Sequence, residues 1–376
     1  MEVLVLCKRQ YTGKDLLDDR YGRLFELPAA LVERGHHVTG ATWSYRRRHE
    51  SSLVAEGVRW WSVDAWPSPT TYWRKLRSIV ASRPPDVLWA SSDVLHAVFG
   101  ARLAQQFDLP LVIDLYDDYE SFGLSRLPGV RWLLRRACAG ADALTVVSQT
   151  LSATIRERIP SAPPIEVIRN GVAKVFCNPL SRKEARLRLG LPLDVPLVGT
   201  AGALDGTRGT IDLVRAFHLL RESRTDVRLV VAGPRDAAIA REFSPDVIDL
   251  GIIPHAQVSW LYSALDVGVV CNRDSAFSRA CHPLKLVEML ACKLPVVAAA
   301  VGDTALILGS QPQCLFFPGD HRMLAERIER QLVSPIFPEA RAARWSELAQ
   351  DLEEVLQAAI EINKKKGGAS ISRDRS

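Results

Sequence analysis

At 376 residues the chain is too long for one ordinary domain and suits two α/β domains. A hydrophobic share of 47% against 24% charged residues excludes a disordered polymer, and a net charge of only +5 gives no case for nucleic acid as a partner. Seven cysteines without a Cys-x-x-Cys pair argue against a disulfide frame or zinc knuckle and for a reducing, cytoplasmic compartment.

Val3-Leu4-Val5-Leu6 reads as a buried strand. The opening MEVLVLCKRQ has no basic region ahead of its apolar run and is too short for a signal-peptide core. A loop from Lys8 to Arg23 leads into a helix over Leu24–Arg34, with Leu24, Leu27, Leu31 and Val32 on one face and Gly35 as its C-cap. His36–Thr39 begins the next strand, which completes a βαβ unit. The acids Asp18 and Asp19 suit the N-terminal end of that helix.

Trp43 to Arg77 combines Trp43, Trp60, Trp61, Trp66 and Trp73 with Arg46, Arg47, Arg48, Arg74, Lys75 and Arg77. Aromatic rings beside cations suit sugar stacking, an anionic acceptor or a bilayer interface. The competing reading is that the rings are core and the arginines solvated. No stretch reaches the roughly 18 apolar residues of a spanning helix, so membrane contact is expected to be peripheral, through residues 43–77 at the inner face.

Pro85–Ala90 starts a strand, Ala97–Phe107 is a helix, and Leu111–Leu115 is a strand that ends in Tyr116-Asp117-Asp118. Ligands of open α/β sheets bind beyond the carboxyl ends of strands, which places Tyr116, Asp117 and Asp118 at a cleft. The same carboxylates could instead cap the next helix. Ala141–Ser148 is a further strand unit, and Ile165–Val172 closes the first domain. Phe176–Leu193 is the linker and first helix of the second.

The second half opens on the strand Leu197–Gly202. Gly199, Gly202 and Gly206 do not form a GxGxxG fingerprint, so a nicotinamide dinucleotide is not supported. Ile211–Leu220 is a helix; Val227–Gly233 and Val247–Gly251 contain strands. In Ala280–Ala300, ACHPLKLVEMLACKLPVVAAA, Pro283 opens a helix whose buried face is Leu284, Val287, Leu290 and Ala291, and Val296–Ala300 is a short buried strand. Lys285 and Glu288 share a side of its first turns. Unpaired N–H groups and the helix dipole make such an end an anion site, which Lys285 would strengthen. Glu288 could accept hydrogen bonds from sugar hydroxyls. The plainer alternative is a surface Lys–Glu pair. Glu339–Ile362 is a terminal helix, followed by a basic, solvated tail.

The stretch Glu288, Ala291, Cys292, Pro295, Val296, Val297, Ala298 resembles the nucleotide-sugar motif of GT-B glycosyltransferases of the retaining family 4, or group 1, type. Pro283-Leu284-Lys285-Leu286-Val287-Glu288 matches one branch of that family, whereas the motif's upstream acid falls on Ala280 and its glycine on Lys293. Arg34-Gly35-His36-His37-Val38 and Asn170-Gly171-Val172 also fit. The resemblance runs from about Val3 to Trp345 and implies two Rossmann-like domains facing a cleft. These would span residues 1–176 on the acceptor side and 177–338 on the donor side. A helix over 339–363 would return to the first domain, and 364–376 would be a disordered tail.

The resemblance implies a glycosyltransferase that moves a sugar from a nucleotide diphosphate, carrying UDP or GDP, to a glycan, lipid-linked or small-molecule acceptor. It implies retention and no required metal or other cofactor. Arg208 and Lys285 would act on the departing diphosphate, with Tyr116 and Asp117 beside the transferred sugar. Gly202, Arg208, His282, Pro283, Leu284, Lys285 and Glu288, with Gly22 and Arg23, would hold the donor. Among the altered family positions, Ala203 replaces an arginine, Ala280 the acid, and Tyr116 a histidine. These motivate one alternative, a GT-B protein that binds nucleotide sugars without transfer; a GT-B sugar-nucleotide epimerase is another.

Overall fold

The computed structural model describes residues 1–11, 14–46, 50–66 and 68–373, with side chains through Lys366. It divides into two compact units: Met1–Arg169 together with the segment from Trp345, and Asn170–Arg344. The sequence reading sets the first boundary after residue 176. The turn Asn170-Gly171-Val172 moves it, because its hydrogen bonds go to the second unit. Val172 N–H donates to Ala343 O at 2.9 Å, and Asn170 Nδ2 donates to His282 O at 3.0 Å.

The first unit holds β1 (Glu2–Lys8), the two-residue strands β2 (Gln10–Tyr11) and β3 (Lys14–Asp15), then β4 (His37–Ser44), β5 (Ser51–Ala55), β6 (Val58–Asp64), β7 (Val87–Ser91), β8 (Leu111–Leu115), β9 (Ala143–Val146) and β10 (Ile165–Val167). The main sheet has eight strands in the order β10-β9-β8-β7-β1-β4-β6-β5. All its pairings are parallel except the edge pair β5–β6. Val3 to Cys7 are all buried, so β1 is covered on both faces, as a parallel sheet requires. The order reverses direction between β1 and β7, which makes the carboxyl ends of these strands the switch point of the sheet.

The Trp-rich stretch folds as β4, β5, β6 and the helix Pro69–Ser82. Trp43 is core, stacked on Tyr72 with centroids 5.3 Å apart, and Trp60 is fully buried where Gly40 has no Cβ to obstruct it. Lys75 Nζ covers the Trp61 ring at 3.5 Å, and Trp73 packs on Phe99. Among the described residues of this stretch only Trp66 keeps a largely exposed ring. Arg47 and Arg48 lie outside the described residues.

The helix from Trp345 packs on the helix Arg23–Glu33 and on β7, β8 and β9. Its inward face is Leu348, Leu352, Val355, Leu356 and Ala359. It begins at Trp345 rather than Glu339, since Arg344 is held extended in a bridge to Val172. It continues to Arg373, where the sequence reading expects a disordered tail from residue 364. Lysines are good helix formers, and Lys366 Nζ reaches Asp142 Oδ1 at 2.7 Å. Residues 374–376 lie outside the described residues. Among those described, no helix is long and apolar enough to cross a membrane.

The second unit is a six-stranded, all-parallel sheet of β11 (Leu197–Ala201), β12 (Arg228–Ala232), β13 (Val247–Asp249), β14 (Val267–Val270), β15 (Val296–Ala299) and β16 (Leu315–Phe316). Its order, β13-β12-β11-β14-β15-β16, is doubly wound with the switch point between β11 and β14. Two apolar clusters, around Leu286, Met289 and Tyr262 and around Phe217, Leu220 and Ile328, cover its faces.

A buried ion pair crosses the first unit. Arg23 is 2% exposed and Asp114 is fully buried. The guanidinium donates to Asp114 at 2.6–3.2 Å through Nε and Nη2, and through Nη1 to Ile168 O at 2.6 Å. Asp114 also accepts from Ser91 Oγ at 2.7 Å and Thr145 Oγ1 at 2.6 Å. Removing one member of such a pair leaves the other charged, buried and unmatched, at a cost of about 3–5 kcal/mol. Arg23→Met is therefore expected to lower the stability of the protein by that amount in urea or thermal unfolding, and a change below about 1 kcal/mol would refute this role.

Candidate functional site

Each unit carries a cluster of polar side chains at the switch point of its own sheet. In the second unit the chain leaves β11 through Gly202, runs through the turn Gly206–Arg208, and enters the helix Thr210–Ser223. The chain after β14 returns through the helix Leu284–Ala291. Neither helix start has a side-chain cap: Gly209 precedes the first and Pro283 the second. Pro283 thus stands at the N-cap, one residue ahead of Leu284, which is the first helical residue. Two uncapped helix N-termini flank the point where this fold class places phosphates.

Three cations converge on the same loops. Asp205 Oδ1 caps the turn by accepting from Arg208 N–H at 2.9 Å, and the Arg208 guanidinium lies over the Phe277 ring at 4.9 Å. Arg273 Nε donates to Gly206 O at 2.8 Å. Lys285 lies against Gly202: a Cβ there would stand 2.6 Å from its Cε and 3.1 Å from its Nζ. Gly202 has φ +102°, so glycine serves both the backbone and the room for the lysine. Neither Lys285 nor Arg208 has a side-chain hydrogen bond or ion pair among the described residues. Burial pushes the Lys285 ammonium down to about 8, the charge of Arg208 adds to this, and the carboxylates Glu288 and Asp205 oppose it. Burial raises the Cys271 thiol to about 12, so it stays neutral.

The Lys285–Glu288 pair read from spacing is not a surface pair. Glu288 is 5% exposed, and its Oε1 bonds to His255 Nε2 at 2.9 Å. His255 in turn lies 5.1 Å from the Phe176 ring. His282 is buried, with Nδ1 accepting from Asn170 N–H at 3.3 Å. It braces the Asn170–Val172 turn.

In the first unit, Lys8 ends β1 and Ser92 follows β7. Lys8 N–H donates to Ser92 Oγ at 3.0 Å, and Lys8 Nζ stands over the Tyr116 ring at 5.8 Å. Ser92 has φ +103°, a left-handed conformation unusual for a side chain of its kind, held by Tyr119 Oη, which accepts from its N–H at 2.9 Å. Tyr116 is buried, with its hydroxyl donating to Ser92 O at 3.4 Å, and Asp117 is half-buried beside it. Burial holds the Tyr116 hydroxyl well above its ordinary value. Asp118 is used up by Arg158 at 2.7 and 3.1 Å.

Two sequence-predicted residues leave the donor set. Arg23 is spent inside the ion pair with Asp114. Gly22, with φ +77°, has its open face filled by Tyr11, whose hydroxyl would lie 1.7 Å from a Cβ. The residues that sequence reasoning misses are Lys8, Ser92, His255 and Arg273. The ends of β1, β7 and β14 are the available signal for Lys8, Ser92 and Arg273, once the strand order identifies the switch points, whereas His255, at the start of the helix after β13, has none.

Two family models match the chain. One, described as a glycosyl transferase 4-like domain, covers residues 23–171, and the other, glycosyl transferases group 1, covers residues 195–333. The chain belongs to the group 1 glycosyltransferases of the GT-B fold. Among relatives of this transferase, a GDP-mannose-dependent monoacylated alpha-(1-6)-phosphatidylinositol monomannoside mannosyltransferase of Corynebacterium glutamicum is 25% identical over 330 residues, 82% of this chain and 86% of the relative. The D-inositol 3-phosphate glycosyltransferase 1 of Catenulispora acidiphila is 29% identical over 313 residues, 72% of this chain and 73% of the relative. The solved structure of sucrose-phosphate synthase from Thermosynechococcus elongatus covers 100% of both chains with a TM-score of 0.71 at 20% identity, which speaks for the fold. The group 1 transferase is an enzyme that uses a nucleotide sugar.

The lowered Lys285 ammonium would give any anion binding at this cluster a pH dependence. An anion needs the charged form, which holds about nine-tenths of the population at pH 7 and about one-tenth at pH 9 if the group titrates near 8. Isothermal titration of pyrophosphate is expected to weaken across this range in the wild type. The Lys285→Met variant should bind more weakly at pH 7 and lose this component of the pH dependence. An unaltered pH profile in the variant would remove Lys285 from the anion site.

Proposed function

We propose that this transferase holds the diphosphate of its donor between the helix starts at Gly209 and Pro283, with Arg208, Arg273 and Lys285 as counter-charges. The observation that carries this reading is a pair of half-buried cations, Arg208 and Lys285, without a side-chain hydrogen bond or ion pair among the described residues. Such groups are held ready for charge that the protein does not itself supply. Arg273, hydrogen-bonded to Gly206 O, brings a second guanidinium to the loop on which Ala203 stands in place of the family arginine. Glu288, oriented by His255, is the group for the ribose hydroxyls. Transfer proceeds with retention and without a divalent metal, since the cations do the work of screening the leaving diphosphate.

The acceptor belongs to the first unit, at Lys8, Ser92, Tyr116 and Asp117. Both relatives named above carry inositol in their descriptions, one as a lipid and one as a phosphate ester. This supports a polyol acceptor, and Lys8 favours one with an anionic substituent. The nucleotide-binding protein without transfer and the epimerase remain distinguishable in one assay: the first would bind GDP- or UDP-sugars without turnover, the second would isomerise them.

Transition-state charge on the leaving group is where the cations count most. Removing one such group from a dry site costs about 3 kcal/mol, on the order of a hundredfold in rate. Arg208→Ala and Lys285→Ala are each expected to lower kcat about a hundredfold in a nucleoside-diphosphate release assay over a panel of UDP- and GDP-sugars, with a smaller rise in KM. Wild-type kcat in either variant would strike that residue from the reading. The same assay with EDTA is expected to retain full turnover, and activity restored only by magnesium or manganese would overturn the metal-free part.

A further inference from the structure

The 3₁₀ turn Gly123–Arg126 and the helix Val130–Gly140, which follow β8, expose apolar side chains where a crossover helix ordinarily shows polar ones. The inward face of the helix is Leu134, Ala137 and Cys138. On the outward side Trp132 is 59% exposed and Leu133 40%, and on the preceding turn Leu124 is 49% and Leu127 54% exposed. The turn packs against the helix, and Arg131 Nε donates to Ser125 O at 3.1 Å, so the four side chains belong to one supported surface.

The charge on this surface has one sign. From Ser121 to Gly140 the chain has four arginines and no aspartate or glutamate. Arg135 is taken by Glu120 at 2.7 and 2.8 Å. Arg136 lies over the Trp132 ring at 5.4 Å, and the exposed Arg126 has no side-chain hydrogen bond or ion pair among the described residues. A Trp with leucines set among arginines is the composition that enters the headgroup region of a bilayer: the rings and alkyl chains pass below the phosphates and the guanidiniums stay at their level. An acidic protein partner would use the arginines, but it would not call for four large apolar side chains spread without a groove.

We propose that residues 124–136 dock the first unit on an anionic lipid surface. The patch starts at the carboxyl edge of the sheet, because Gly123–Arg126 follows the strand end that carries Tyr116 and Asp117. An acceptor embedded in that surface would then be presented on the side of the first unit where its cluster lies. This replaces residues 43–77 as the membrane contact, whose tryptophans are mostly core or covered. The inference does not rest on the donor-site reading, and its test needs no turnover.

The test is co-sedimentation of the full chain with vesicles of phosphatidylcholine alone and of phosphatidylcholine mixed with phosphatidylglycerol. The expected result is binding to the mixed vesicles, weakened by salt, and little binding to phosphatidylcholine alone. Arg126→Ala with Arg136→Ala should weaken binding about twenty-fivefold, at about fivefold for each arginine near the surface. Trp132→Ser with Leu133→Ser should abolish it at low salt, while pyrophosphate binding and the melting temperature stay at wild-type values, since these side chains are exposed. Binding unchanged in both double variants, or absent from both kinds of vesicle, would overturn the proposal. So would light scattering that shows a dimer lost in Trp132→Ser with Leu133→Ser, which would assign the patch to a second copy of this chain.

Discussion

The first unit depends on the Arg23–Asp114 pair. One guanidinium reaches a carboxylate at β8 and the carbonyl of Ile168 beyond β10, while the same carboxylate gathers hydroxyls from the ends of β7 and β9. The start of the helix Arg23–Glu33 and four strands of the sheet are thereby referred to a single point. Apolar packing fills the layers but has no direction of its own. The charged pair has direction, and it lies just beneath the strand ends where Lys8, Ser92 and Tyr116 are displayed. Its desolvation cost is offset by a full set of hydrogen bonds rather than by one Coulomb contact.

The second unit solves the same problem differently. It too has an ion pair on a buried arginine, Arg186 with Asp266 at 2.7 Å, but Arg208, Arg273 and Lys285 have no carboxylate partner among the described residues, and what positions them is backbone and aromatic surface. Gly202 leaves space for the Lys285 stem, Phe277 supports Arg208, and the carbonyl of Gly206 orients Arg273. The result is a cluster with surplus positive potential that the fold tolerates because Arg208 and Lys285 are only half-buried and Arg273 is exposed. Matched charges build the scaffold in the first unit, and in the second a cluster without carboxylate partners is the proposed place for the donor diphosphate.

Much of this was legible in the sequence. Buried parallel strands announce themselves as short apolar runs, and Leu197–Gly202 and Val296–Ala300 were read to within a residue or two. The spacing of Lys285 and Glu288 puts them on one helix, as they are in Leu284–Ala291, although spacing does not say that Glu288 turns inward to His255, since that partner lies 33 residues away. Arg23 shows the converse limit. A glycine and an arginine ahead of a helix look like an anion loop, and only the strand order reveals that Asp114 waits beneath. The Trp-rich stretch misled in the same way: β6 alternates Val58, Trp60 and Ser62 into the interior, and a tryptophan reads identically whether it faces a sugar or a core. The patch at Leu124–Arg136 escaped for the opposite reason, because its apolar residues fit a helix face and only their exposure marks them.

The room that Gly202 leaves for Lys285 ties occupancy of the site to the proton balance of the solution. With an ammonium lowered to about 8, part of the population is neutral in mildly alkaline buffer, and a bound diphosphate favours the charged form. On the proposed reading, each binding event there would draw a fraction of a proton from the medium, and each release of product would return it. The heat of nucleotide binding would then contain the ionisation enthalpy of the buffer, so titrations in Tris and in phosphate would report different enthalpies for one and the same affinity.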